Sequence, residues 1–148
     1  MANTSAWCSR KGLPCPGEAK HHSLFINCGG SSTSFEGNEY EEDLANGGPS
    51  YFFTSSDRWA FSSSGVFMGD QKASYIATNT FSLNVSGPEF YKIARLAPTS
   101  LKYYGLCLRQ GSYRTRLHFA EIIFSNDSTY SSLGRRIFDV SIQVSGDL

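Results

Sequence analysis

The stretch Tyr113-Arg114-Thr115-Arg116-Leu117-His118-Phe119-Ala120-Glu121-Ile122-Ile123-Phe124 decides the reading of the fold. Tyr113, Thr115, Leu117 and Phe119 fall on one side of a period-two ladder, and Arg114, Arg116 and His118 fall on the other, the pattern of a half-buried antiparallel strand. At Ala120 the apolar character changes sides, passing to Ala120, Ile122 and Phe124. Glu121 is thereby left in phase with the core set. A carboxylate in that position needs hydrogen-bond donors, and the expectation is a structural role in which Glu121 holds a neighbouring loop by accepting backbone N–H groups.

Working outward, Gln110 and Gly111 make a turn that joins this strand to Ser100 to Cys107, where Leu101, Tyr103, Tyr104 and Leu106 supply the apolar character. Toward the end of the chain, Ile137 to Val144 alternates cleanly and predicts another strand, one that ends four residues before the last residue, Leu148. Such a strand with nothing following it would leave an open edge. Upstream, Leu24 to Ile26 runs into Cys28, Gly29 and Gly30 as a first strand. Tyr51 to Phe53, Arg58 to Phe61, Val66 to Met68, Tyr75 to Ala77, Phe81 to Val85 and Tyr91 to Leu96 read as further short strands, with Ser62 to Gly65 as a turn. Residues 31 to 49, rich in Gly, Ser, Asn and acid around the single aromatic Tyr40, read as a long loop.

Composition agrees. Eleven Phe, eight Tyr and two Trp make 14% aromatic residues, and fourteen Gly are interspersed among them, a mixture of strands and turns. At 148 residues the chain is the size of one domain. Thirteen basic and thirteen acidic side chains cancel without forming runs, which argues against nucleic acid as a partner. Residues 1 to 10 lack the apolar stretch of a signal peptide, and no segment reaches the roughly eighteen apolar residues needed to cross a bilayer.

Two features point to the secretory pathway. Asn3, Asn84 and Asn126 each open an Asn-x-Ser/Thr sequon, and four cysteines can close two bridges. The spacing favours Cys8 with Cys15, around the stiff Pro14 and Pro16, and Cys28 with Cys107 between distant strands. Cys8, Cys15, His21 and His22 lack the paired spacing of a zinc site. Residues 1 to 23 therefore read as an irregular, cysteine-containing lead-in and 24 to 148 as the domain.

Five blocks in order carry a resemblance: Ile26-Asn27-Cys28-Gly29-Gly30, Ala94-Arg95-Leu96-Ala97-Pro98, Tyr103-Tyr104-Gly105-Leu106-Cys107-Leu108, His118-Phe119-Ala120-Glu121-Ile122 and Arg136-Ile137-Phe138-Asp139-Val140. From Leu24 to Val144 the chain resembles the malectin domain in the form found outside the membrane in plant leucine-rich-repeat receptor kinases. The resemblance implies an all-β, jelly-roll-like β-sandwich, incomplete here at the C-terminus, on the extracellular face of the plasma membrane or in the secretory pathway. It implies a carbohydrate or cell-wall glycan as partner, other receptor ectodomains as further partners, and no cofactor or metal.

The ligand-binding residues it implies are Tyr40 in the loop after the Gly-Gly strand, and the pair Tyr103 and Tyr104. A tyrosine ring offers an apolar face to the C–H side of a pyranose and a hydroxyl to its polar edge. Strand alternation puts one of Tyr103 and Tyr104 into the core. The family's sugar-binding aspartate falls beyond the last strand of this chain, so the implied site is partial. Two other functions compete. A glycoside hydrolase would need Glu121 held at a defined separation from Glu39, Glu41 or Glu42, and no pattern indicates such a pair. A structural or protein-interaction domain would use the tyrosines for packing alone.

Overall fold

The computed structural model describes residues 15, 18–55, 57–68, 74–79, 89–124 and 136–142. Eight strands account for the regular structure of these residues: β1 (Ile26–Asn27), β2 (Thr33–Phe35), β3 (Asn38–Glu42), β4 (Ser50–Ser55), β5 (Trp59–Ser64), β6 (Ile76–Thr78), β7 (Ile93–Arg95) and β8 (Ser100–Gly105). One turn of 3-10 helix, Glu89–Lys92, precedes β7. The fold is all-β, a sandwich built from three small sheets ordered β1-β3-β2, β4-β5-β8 and β6-β7.

The β4-β5-β8 sheet is antiparallel throughout, with Phe53 opposite Phe61 and Phe61 opposite Tyr103. Its inner face carries Tyr51, Phe53, Trp59, Phe61 and Tyr103, whose rings meet at centroid distances of 5.6 to 6.4 Å. Trp59 and Phe61 are fully buried. Against this aromatic layer lie the ends of β3 and β7, and the Arg95 guanidinium sits 4.4 Å over the Phe61 ring.

The structure corrects several expectations. Residues 31 to 49, expected to be a loop, contain the β2-β3 hairpin, closed by Glu36 and Gly37 at φ of 50° and 76°. Two consecutive positive φ angles make the tight turn whose twist suits a hairpin, and Gly37 adopts one without steric cost. The serines expected to turn at 62 to 65 instead continue β5 to Ser64, because the strand satisfies their hydroxyls across the sheet: Ser64 Oγ lies 2.6 Å from Ser100 Oγ, and Ser62 Oγ 3.1 Å from the Tyr104 hydroxyl. Val66 to Met68 forms no strand, and Met68 is almost fully exposed.

The two best-patterned segments differ most from expectation. Residues 113–124 and 136–142 form no ladder among the described residues. They do lie side by side: Phe119 meets Phe138 at 5.2 Å and Glu121 meets Arg136 at 2.8 Å, contacts that step in opposite directions along the chain. Alternation reports which side chains share a face; a strand also requires backbone partners, which a pattern does not supply. Leu117, Phe119, Phe138 and Val140 remain about half exposed or more. The strand expected at Phe81 to Val85 lies outside the described residues.

The cysteine pairing is also corrected. Cys15 is bridged to Cys107, with Cα atoms 5.3 Å apart, and Cys28 is a free thiol. Neither the Cys8–Cys15 nor the Cys28–Cys107 pairing therefore forms; Cys8 itself lies outside the described residues. The reason is local. Lys20 and His21 donate their backbone N–H groups to the Cys107 carbonyl at 2.9 and 3.1 Å, and Arg109 returns a bond to His21. This docks the lead-in beside the end of β8 and carries Cys15 to Cys107. Closing a loop of 92 residues contributes about 4–5 kcal/mol in chain-entropy terms.

Candidate ligand-binding site

Between the sheets, a buried polar cluster is centred on Asp43, one residue past β3. Asp43 and Arg95 have no exposed side-chain surface, and Arg95 Nε lies 2.5 Å from Asp43 Oδ2 while Nη2 lies 2.8 Å from Oδ1. Nη2 also donates to the carbonyls of Asp43 and Ala45 at 3.0 and 2.7 Å. Gly29 N–H and the Tyr103 hydroxyl complete the shell, donating to Oδ2 at 3.1 and 2.7 Å. Ionised groups buried this deeply persist only where partners replace water; of the atoms in this pair, Arg95 Nη1 has no hydrogen-bond partner among the described residues.

Gly29 is the point of closest approach. Its φ is 89°, and a Cβ there would lie 2.7 Å from the Arg95 nitrogen. Arg95 N–H in turn bonds the Cys28 carbonyl at 3.0 Å. The Cys-Gly-Gly and Ala-Arg-Leu blocks thus meet at the cluster, and both serve the scaffold. Burial pushes the Tyr103 hydroxyl pKa up, and Cys28 and Asp43 beside it push the same way, so the phenol remains a protonated donor. Burial likewise raises the Cys28 thiol, against a smaller opposing effect of its hydrogen bond with Tyr103.

Alternation along β8 sends Tyr103 and Tyr104 to opposite faces. Tyr103 packs inward on Trp59 and Phe61. Tyr104 is half-buried on the outer face, its hydroxyl beside Ser62 and its ring 6.5 Å from that of Phe52, which is 55% exposed. Tyr40 is half-buried on β3 and tilts against Phe25 at 5.4 Å. The neighbouring Glu41 accepts from Trp59 Nε1 at 3.1 Å and pairs with Arg58.

Glu121 Oε1 accepts the N–H groups of Ile123 at 2.9 Å and Phe124 at 3.3 Å, and Oε2 pairs with Arg136. Partial burial disfavours its charge, yet the bonds from Arg136 and the two N–H groups outweigh that and hold its pKa below the ordinary value. Among the described residues, no group of three or more His, Cys, Asp or Glu side chains converges on a metal position. Asn3, Asn84 and Asn126 lie outside the described residues. Sequence reasoning missed Phe52, read only as part of an apolar run, and the roles of Asp43 and Arg95.

Residues 22–146 match the Malectin domain family, so the chain belongs to the malectin family. It is 59% identical over 142 residues to each of two probable LRR receptor-like serine/threonine-protein kinases of Arabidopsis thaliana, matches that cover 95% of this chain and 14% of either relative. A third such kinase from the same plant is 42% identical over 146 residues, covering 92% of this chain and 14% of its own length. The chain therefore spans about one-seventh of the length of these curated relatives. No solved structure matches.

Proposed function

We propose that this malectin domain is a non-catalytic recognition module in the ectodomain of a plant receptor-like kinase, on the extracellular face of the plasma membrane, and that it binds an oligosaccharide of cell-wall type. The observation that carries the reading is Tyr104: a ring on the open face of a rigid sheet, its hydroxyl beside a serine and its neighbour an exposed phenylalanine. Tyr40 contributes a second half-exposed ring. Tyr103 acts from behind, since its hydroxyl is committed to Asp43 and its ring to the core. Asn3, Asn84 and Asn126 would carry N-glycans.

The test is titration of the folded chain with maltose, nigerose and cello-oligosaccharides, followed by tyrosine and tryptophan fluorescence. A saturable response at millimolar concentration is expected, as shallow sites leave much of a sugar hydrated. A flat response to all of them would contradict it. A second reading, docking of another ectodomain, is favoured by the exposed apolar side chains of Leu117, Phe119, Phe138 and Val140.

A further inference from the structure

The register of the β4-β5-β8 sheet lays out its outer face in three rows. Ser50, Ser64 and Ser100 lie across from one another; next come Phe52, Ser62 and Lys102; then Thr54, Ala60 and Tyr104. Every residue that the central strand presents to this face is small. The flanking strands carry an aromatic ring on each side, Phe52 and Tyr104, 6.5 Å apart. The two rings lean toward each other over β5, where Ala60 is fully buried, and make a pair of inclined platforms edged by the hydroxyls of Ser62, Ser64 and Ser100. Phe52 is 55% exposed, and its ring has gained little by leaving water.

We propose that this face is a two-platform binding site in which Phe52 and Tyr104 each stack on one of two consecutive pyranose rings of a soluble, twisted oligosaccharide. The proposal rests on the sugar-recognition reading above and deepens it by adding Phe52 and by setting the ligand class. Aromatic faces cover the C–H surfaces of sugars, while Ser62, Ser64, Ser100 and Thr54 offer donors and acceptors to ring hydroxyls, and the exposed Lys102 offers a further donor on the same face. The angle between the two platforms selects the ligand's shape. The rings are inclined at 56° to each other, so they cannot lie together on the flat face of a crystalline polysaccharide. Successive sugars rotated against one another along a free chain present faces that two inclined platforms can meet.

The experiment compares the full chain with Phe52→Ala, Phe52→Tyr and Tyr104→Ala in calorimetric titrations with glucose, maltotetraose and cellotetraose, and in retention on crystalline cellulose. Thermal melts confirm that each variant folds; Phe52 is exposed enough for its truncation to be tolerated. The expected result is that Phe52→Ala weakens binding of the tetrasaccharide about tenfold, weakens glucose less because Tyr104 still offers one platform, and is rescued by Phe52→Tyr, with no retention on crystalline cellulose. Unaltered tetrasaccharide binding by Phe52→Ala, with binding lost in Tyr104→Ala, would overturn the two-platform site and leave sugar recognition standing. Retention on the crystalline surface would overturn the twisted-chain ligand. Absence of any response in the unmodified chain would remove both this proposal and the reading beneath it.

Discussion

Arg95 grips Asp43 through both carboxylate oxygens, Nε on Oδ2 and Nη2 on Oδ1, with neither side chain reaching water. This pair ties β7 to the end of β3 and, through Tyr103, to the sheet that carries the outer aromatic face.

Removing one partner should therefore be far worse than removing both. Asp43→Ala leaves a guanidinium buried without its counter-charge and is expected to lower stability by about 3–5 kcal/mol, whereas Asp43→Leu with Arg95→Met should lose less. Urea denaturation midpoints of the single and double variants check this.

Tyr103→Phe deletes a single hydroxyl bonded to a buried carboxylate. We expect a loss of about 1–3 kcal/mol in unfolding free energy with sugar affinity unchanged, because the ring remains packed on Trp59 and Phe61. A denaturant melt beside a titration separates the two effects.

The thiols should behave asymmetrically. Non-reducing peptide mapping is expected to recover residues 15 and 107 in one cross-linked species. Burial raises the Cys28 pKa, so Cys28 should react with a thiol reagent in the unfolded chain and be protected in the folded one. Reduction of the bridge should lower stability by about 4–5 kcal/mol.

Glu121 sets part of the acid response. Its folded pKa lies below the ordinary 4.5, so its contribution to stability is fully present above that value and is lost as pH falls through the lower folded value. The stability difference between the chain and Glu121→Gln should be constant from neutral pH down to about 5 and shrink below about 4. Its side chain is 43% exposed, so the difference is small.

How much was legible in the sequence follows from what each signal reports. The opposite facing of Tyr103 and Tyr104 is a property of any strand, and it was readable without knowing the partner strands. The β2-β3 hairpin was hidden because acids around Tyr40 mimic a solvated loop, when Glu41 in fact serves Trp59 and Asp43 serves Arg95. Ser62 to Ser64 mimicked a turn because hydroxyls satisfied across a sheet have the same composition as hydroxyls in a loop. The cysteine pairing depended on the docking of Lys20 and His21 on Cys107, a contact between positions distant in sequence. Residues 113–124 and 136–142 have strand alternation without a ladder among the described residues, since pattern alone carries no information about pairing.

The most direct test of recognition through the outer tyrosine is to follow the aromatic ring resonances of Phe52, Tyr40, Tyr103 and Tyr104 by NMR as maltotetraose or cellotetraose is added. Tyr104 and Phe52 are expected to shift together and saturate while Tyr103 stays still. Saturable shifts confined to Tyr103, or no saturable shift at any of the four rings, would contradict it.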